Sequence, residues 1–264
     1  MSLSAKATFA GMKNNACIRV LQTSLLVLFL SVAVNAQTSK QINKQYQSWF
    51  SINNTIKLNS RWAILADFHT RHNDFLAHPS FNIVRGGVQY SVDKNLSVAA
   101  GYGHMWLYPT KEGWETISNE NRIFEQVIYT SKFRKVNVLQ RFRNEQRWQQ
   151  KIENDKRTGN NKFTNRFRYL LSLTVPVFKN PKVPSLVVAD EVLLQAGKEV
   201  VNNTLDQNRI FIGVKEQLTP SLSFDTGYML VFQQKSSGYQ YDKNNTFRLF
   251  FYYSPQLYKT AKTK

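Results

Sequence analysis

The sequence predicts an all-β protein, an antiparallel transmembrane β-barrel of ten or twelve strands. Three observations lead there. Apolar residues recur at every second position rather than at every third or fourth. The alternating segments are longer than the five or six residues of an ordinary strand. Short and long connections alternate along the chain, as they do in barrels that cross a membrane. Composition agrees: 42% hydrophobic residues, with Phe 18, Tyr 12 and Trp 5, can bury a core, which excludes intrinsic disorder. The only cysteine is Cys17, which excludes a disulfide scaffold. Past residue 36 no run of 18 apolar residues exists, which excludes a helical membrane protein.

The first element, residues 1–36, is expected to be an address rather than part of the fold. It holds Lys6, Lys13 and Arg19, no acid, and an apolar stretch from Val20 to Val34. It closes on the small residues before Gln37, which reads as a cleaved secretory signal peptide. Counting from Met12 gives a signal of ordinary length, so Met12 is the expected start. Cys17 precedes the apolar core, so no lipid anchor is implied. Residues 37–264 form the expected barrel domain, and it contains no cysteine for thiol catalysis or thiolate metal sites.

Eleven candidate strands follow, at 46–58, 60–71, 81–92, 95–108, 120–131, 134–149, 162–177, 184–196, 206–218, 221–234 and 243–254. In the first, Phe50, Ile52, Ile56 and Leu58 alternate with Trp49, Ser51, Asn53, Thr55 and Lys57. In the second, Trp62, Ile64, Ala66 and Phe68 back onto Arg61, Asp67, His69 and Arg71. The clearest case is 166–175, where Phe167, Tyr169, Leu171, Leu173 and Val175 oppose Arg166, Arg168, Leu170, Ser172 and Thr174. Ile210, Ile212 and Val214 continue the pattern, then Leu222 to Phe232, then Phe247, Leu249, Phe251 and Tyr253. Tyr46, Trp106, Tyr108, Trp148 and Tyr253 lie near strand ends, where interfacial aromatic girdles sit. The expected long loops are 72–80, 109–119, 150–161, 197–205 and 235–242. Eleven is an odd count for a bacterial barrel, so ten or twelve strands are expected, with 37–45 as room for an extra one. A soluble β-sandwich or lipocalin-like barrel has the same alternation with its apolar face turned inward, and periodicity alone does not separate the two.

Several short motifs occur in one order along the chain. They are Trp49, Gly101-Tyr102-Gly103-His104, Glu120-Asn121-Arg122, the run Gln140 to Arg147, Arg166-Phe167-Arg168, Asp190-Glu191, and Asp206-Gln207-Asn208-Arg209. On these the chain resembles the Bacteroidetes-type outer-membrane β-barrel family catalogued as domain of unknown function 2490, over nearly all of 45–254. The resemblance implies a barrel in the cell outer membrane and brings no assigned activity, cofactor or catalytic residue. The expected partners are outer-membrane lipid, lipopolysaccharide and the barrel-assembly machinery; a small-molecule ligand is unassigned. The chain departs from the usual assembly signal in ending on Lys259–Lys264 rather than on Phe.

Lys+Arg 35 against Asp+Glu 17 gives a formal charge of +18. In an exported chain this points to anionic lipopolysaccharide and not to nucleic acid. Arg141, Arg143, Glu145 and Arg147 alternate and share one strand face. Arg166 and Arg168 lie on the next strand; Glu191, Arg209, Arg122 and Glu125 are further candidates, with the facing of 120–131 ambiguous. If apolar faces meet lipid, this cluster fills the lumen. It is then either a salt-bridged plug or a narrow anion-preferring passage, since arginine forks suit carboxylate and phosphate. His69, His72, Asp67 and Asp74 read as a polar loop edge, not a metal site. His104 has no adjacent Ser, so no hydrolase pattern is present and no enzyme or cofactor is expected.

Overall fold

The computed structural model describes residues 40–177 and 183–258. The expected signal segment and the terminal lysine run lie outside these residues. Eleven strands form one closed barrel among the described residues. They are β1 (Gln41–Lys57), β2 (Trp62–Asn73), β3 (His78–Ser91), β4 (Leu96–Leu107), β5 (Ser118–Phe133) and β6 (Val136–Glu153). β7 (Lys156–Val175), β8 (Ser185–Ala196), β9 (Leu205–Gln217), β10 (Leu222–Gln234) and β11 (Gln240–Tyr253) complete it.

The expectation of ten or twelve strands is therefore corrected to eleven, and the sheet is mixed rather than wholly antiparallel. Consecutive strands pair antiparallel, so in an odd-numbered ring the first and last run the same way. β1 and β11 accordingly close the barrel in parallel, from Gln41 opposite Gln240 to Asn54 opposite Tyr253. Residues 41–45 do not make a twelfth strand; they lengthen β1. Two of the expected long loops are also strand. Residues 150–161 are mostly the ends of β6 and β7, joined by Asn154-Asp155, both with positive φ (48° and 55°), as a tight hairpin turn requires. Likewise 72–80 shrinks to a turn after Asn73 that includes Asp74 and Phe75.

The facing left open by periodicity is decided by the pairing. The outer wall carries Ile52, Phe68, Val88, Phe142, Phe167, Ile212 and Phe247, all well exposed. Arg143, Glu145, Arg166, Arg168 and Arg209 on the same strands point inward and are buried. Following paired residues once around from Lys57 returns to Asn43, a displacement of 14 residues. Such a stagger tilts the strands by roughly 40° to the barrel axis.

The interior is divided. On the β8–β10 wall and across the seam to β1, Val187, Ala189, Phe211, Met229, Val231 and Trp49 pack as an apolar core, joined by Leu170 and Phe250. The β5–β9 wall carries charge. Two glycine pairs, Gly87 opposite Gly101 and Gly213 opposite Gly227, let adjacent backbones approach closely. A Cβ on Gly101 would lie 2.7 Å from the ring of Phe124, which covers it from the next strand.

Candidate functional site in the lumen

Register builds the charged wall directly. It sets Arg122 opposite Arg147, Glu145 opposite Arg166, Arg143 opposite Arg168, and Glu191 opposite Arg209. Like charges face each other in two of these pairs, which is unfavourable unless carboxylates stand between them. Three glutamates do so. Glu145, 1% exposed, accepts from both Nε (2.9 Å) and Nη2 of Arg166 and from Nη1 of Arg168 at 2.7 Å. Arg122 and Arg143 stand 3.8 and 3.6 Å away from it. Glu191 takes Arg168 in a forked contact and adds Arg141 at 2.7 Å and Arg209 at 3.1 Å. Glu120 holds Arg122 and, at 2.8 and 3.1 Å, Arg147.

All eight residues predicted for the cluster, Arg141, Arg143, Glu145, Arg147, Arg166, Arg168, Glu191 and Arg209, are brought together in this network. Arg122 joins them and Glu125 does not. Glu125 is on the outer face, where its carboxylate accepts from Asn144 and Gln146. The reason is the parity of β5: Glu120, Arg122, Phe124 and Gln126 are buried, so Glu125 falls on the other side. Sequence reasoning missed Glu120, although Glu120-x-Arg122 is the same alternating signal as Arg141 to Arg147. It also missed Asp206, which pairs with Arg166 at 3.1 Å. A bulge turns it inward: Leu193 pairs with Gln207 and Leu194 with Leu205, leaving Asp206 as the extra residue. No sequence signal marks that bulge.

The polar group on β2 is also relocated. Asp67 and His69 are not a loop edge; they lie in the strand and hold Arg85 inside the barrel, with Asp67 at 2.7 Å from its Nε. His72, of opposite parity, shares neither their face nor their partners. A third group, Asp225, Arg248 and Tyr252, is linked by bonds of 2.7–3.0 Å.

Charge does not balance in the main network. Arg122, Arg141, Arg143, Arg147, Arg166, Arg168 and Arg209 meet Glu120, Glu145, Glu191 and Asp206, seven cations against four carboxylates. The surplus faces a cavity of ≈ 1930 Å³. It runs from a rim with Gln41, Lys111, Glu115 and Lys235, past the arginines, to Leu139, Thr174 and Lys215. A second chamber of ≈ 600 Å³ shares those last three residues.

The loop between β4 and β5 contributes Pro109 to Glu112, Glu115 and Ile117 to the rim. Asp155, in the β6–β7 turn, anchors it by accepting from the backbone N–H groups of Thr116 (2.8 Å) and Glu115 (3.1 Å). These bonds hold the Asp155 carboxyl below its ordinary value. At the opposite end Asp93 is lowered in the same way, by the N–H groups of Asn95 and Leu96.

The family model described as Protein of unknown function (DUF2490) matches residues 46–244. The chain belongs to the DUF2490 family. The matched span covers β2 to β10 whole, most of β1 and the start of β11, and it contains every residue of the charged network. No curated protein and no solved structure matches the chain. For this DUF2490 protein the lumen itself must therefore carry the functional argument.

Proposed function

We propose that this DUF2490 protein is an outer-membrane β-barrel whose lumen takes up small anions. The carrying observation is the surplus of arginine over carboxylate on the β5–β9 wall, turned toward a cavity instead of toward bulk solvent. The carboxylates hold the guanidinium groups in place, and the uncompensated charge attracts the ligand. Export through the signal segment 1–36 and insertion by the barrel-assembly machinery belong to the same reading. So does contact with lipid and lipopolysaccharide at the outer wall. Exposed apolar residues on alternate positions support it, as do strands of 12–20 residues, since about 9–11 tilted residues suffice to cross a bilayer.

A second reading, a closed structural plug, is favoured by one observation: Glu145 and Glu191 each engage three or more arginines, a saturated network of the kind that rigidifies an interior. A lipid hydrolase is not proposed. On the outer face Asn121 accepts from Tyr102 and lies 2.8 Å from His104, but the neighbouring Val84 and Trp106 supply no hydroxyl nucleophile.

Planar-bilayer recording on the refolded protein separates these readings, with heat-dependent gel mobility as the folding control. Anion uptake gives steady steps whose reversal potential favours the anion. Arg143→Ala combined with Arg168→Ala then moves that potential toward zero. A preference for cations would overturn the proposal. A folded barrel that never conducts and binds no anion would establish the plug.

A further inference from the structure

We infer that Arg71 is the recognition residue of this lumen, a planar fork for an anion carrying two oxygens on one centre, a carboxylate or a phosphate. The inference rests on the anion-lumen reading and specifies its ligand.

The register makes the site. Arg71 on β2 is directly opposite Trp49 on β1 and Phe81 on β3, so one row of three strands reads aromatic, guanidinium, aromatic. All three line the cavity. The guanidinium carbon is 3.1 Å from the centroid of the Trp49 ring and 4.4 Å from that of Phe81. The two rings hold the guanidinium group between neighbouring strands by cation–π contact, which uses none of the N–H donors at its edge. Among the described residues the Arg71 side chain makes no hydrogen bond and has no carboxylate within ion-pair reach, yet its guanidinium nitrogens are not sealed from the cavity. It differs in this from Arg166 and Arg168, whose donors are taken by Glu145, Asp206 and Glu191.

Two further features suit an oxyanion. Arg209, Arg168, Arg122 and Arg166 all act electrostatically on Arg71, so the potential at its edge is positive from several strands at once. Arg209 also lies over the Trp49 ring, at 5.1 Å, which makes that ring a shared wall between two guanidinium groups. A pair of parallel N–H donors matches two oxygens on one atom, whereas a spherical halide gains only the charge.

Titration calorimetry on the refolded barrel in detergent tests this, with succinate and inorganic phosphate as probes and sodium chloride as competitor at constant ionic strength. Saturable binding of either oxyanion, not displaced by equimolar chloride, is expected. Arg71→Ala should weaken it about tenfold or more, the scale of charged hydrogen bonds lost at a partly dry site. Arg71→Lys keeps the charge and loses the fork, so it should bind oxyanion and chloride with little distinction. Binding of succinate alone would assign a carboxylate, and of phosphate alone a phosphate. Wild-type affinity in folded Arg71→Ala or Arg71→Lys protein, or equal competition by chloride, would overturn the fork. The anion-lumen reading would then still stand if conductance favoured anions. If wild-type protein neither binds these probes nor favours anions, both fall.

Discussion

Glu145 shows why arginine is the residue used here. Its two oxygens serve Arg166 and Arg168 by direct bonds and hold Arg122 and Arg143 at longer range. A guanidinium has five donors in a fixed plane and can span two carboxylates, as Arg168 does between Glu145 and Glu191; a lysine ammonium cannot reproduce that geometry. Such a buried network adds little net stability while intact, because desolvation offsets attraction, but losing one member strands the others. Glu145→Gln is therefore expected to destabilise the folded barrel by about 3–5 kcal/mol, read from the midpoint of chemical denaturation in detergent. Arg61, exposed and with a side chain bonded only to Tyr90, is the contrasting case: Arg61→Ala should leave that midpoint nearly unchanged. Equal effects would mean that the network is not a mechanical part of the barrel.

At the scale of strands and turns, the close approach of β9 and β10 depends on Gly213 and Gly227. A Cβ on either would run into a backbone carbonyl oxygen, of Thr226 or Ile212 respectively. Gly213→Val should therefore cost about 1–3 kcal/mol of stability, as overpacking does, and a denaturation midpoint equal to wild type would contradict the close approach. The rim loop responds to pH through Asp155. Its carboxyl is lowered from 3.8 by the Thr116 and Glu115 amides, so the anchor is complete above that value and is lost as pH falls through the lowered one. Protection of those two amides, relative to intrinsic exchange, should fall below about pH 4, and Asp155→Asn should show the lower protection already at neutral pH.

For the molecule as a whole, the parallel seam is the decisive feature, since it is what allows eleven strands to close. Tyr46 and Asn245 are paired across it, and no native cysteine lies in the barrel strands. Tyr46→Cys with Asn245→Cys should cross-link under mild oxidation, because paired strands bring Cα atoms within about 4.4–6.8 Å. The link should also keep the barrel compact on a heated gel. Failure to cross-link in a folded barrel would refute this closure. The stagger of 14 residues around the ring has a functional consequence too. It gives an interior wide enough for an open cavity lined by the apolar cluster on one wall and by the charged network on the other.

Much of this architecture was legible in the chain, because the period of a strand is written locally. Phe167, Tyr169 and Leu171 against Arg166, Arg168 and Leu170 already state two faces, and the eight clustered charges fall on one of them. Periodicity carries no sign, however, so only pairing around the closed ring decided that the arginines point inward. It likewise carries no neighbours. The bulge that turns Asp206 inward, the parallel β1–β11 seam and the row Trp49, Arg71, Phe81 all depend on which residue of a distant strand stands opposite. The sequence by itself determined strands, faces and the charge to be accommodated. The register, set by simultaneous closure of every backbone hydrogen bond around the barrel, decided which charges meet and which guanidinium is left facing the cavity.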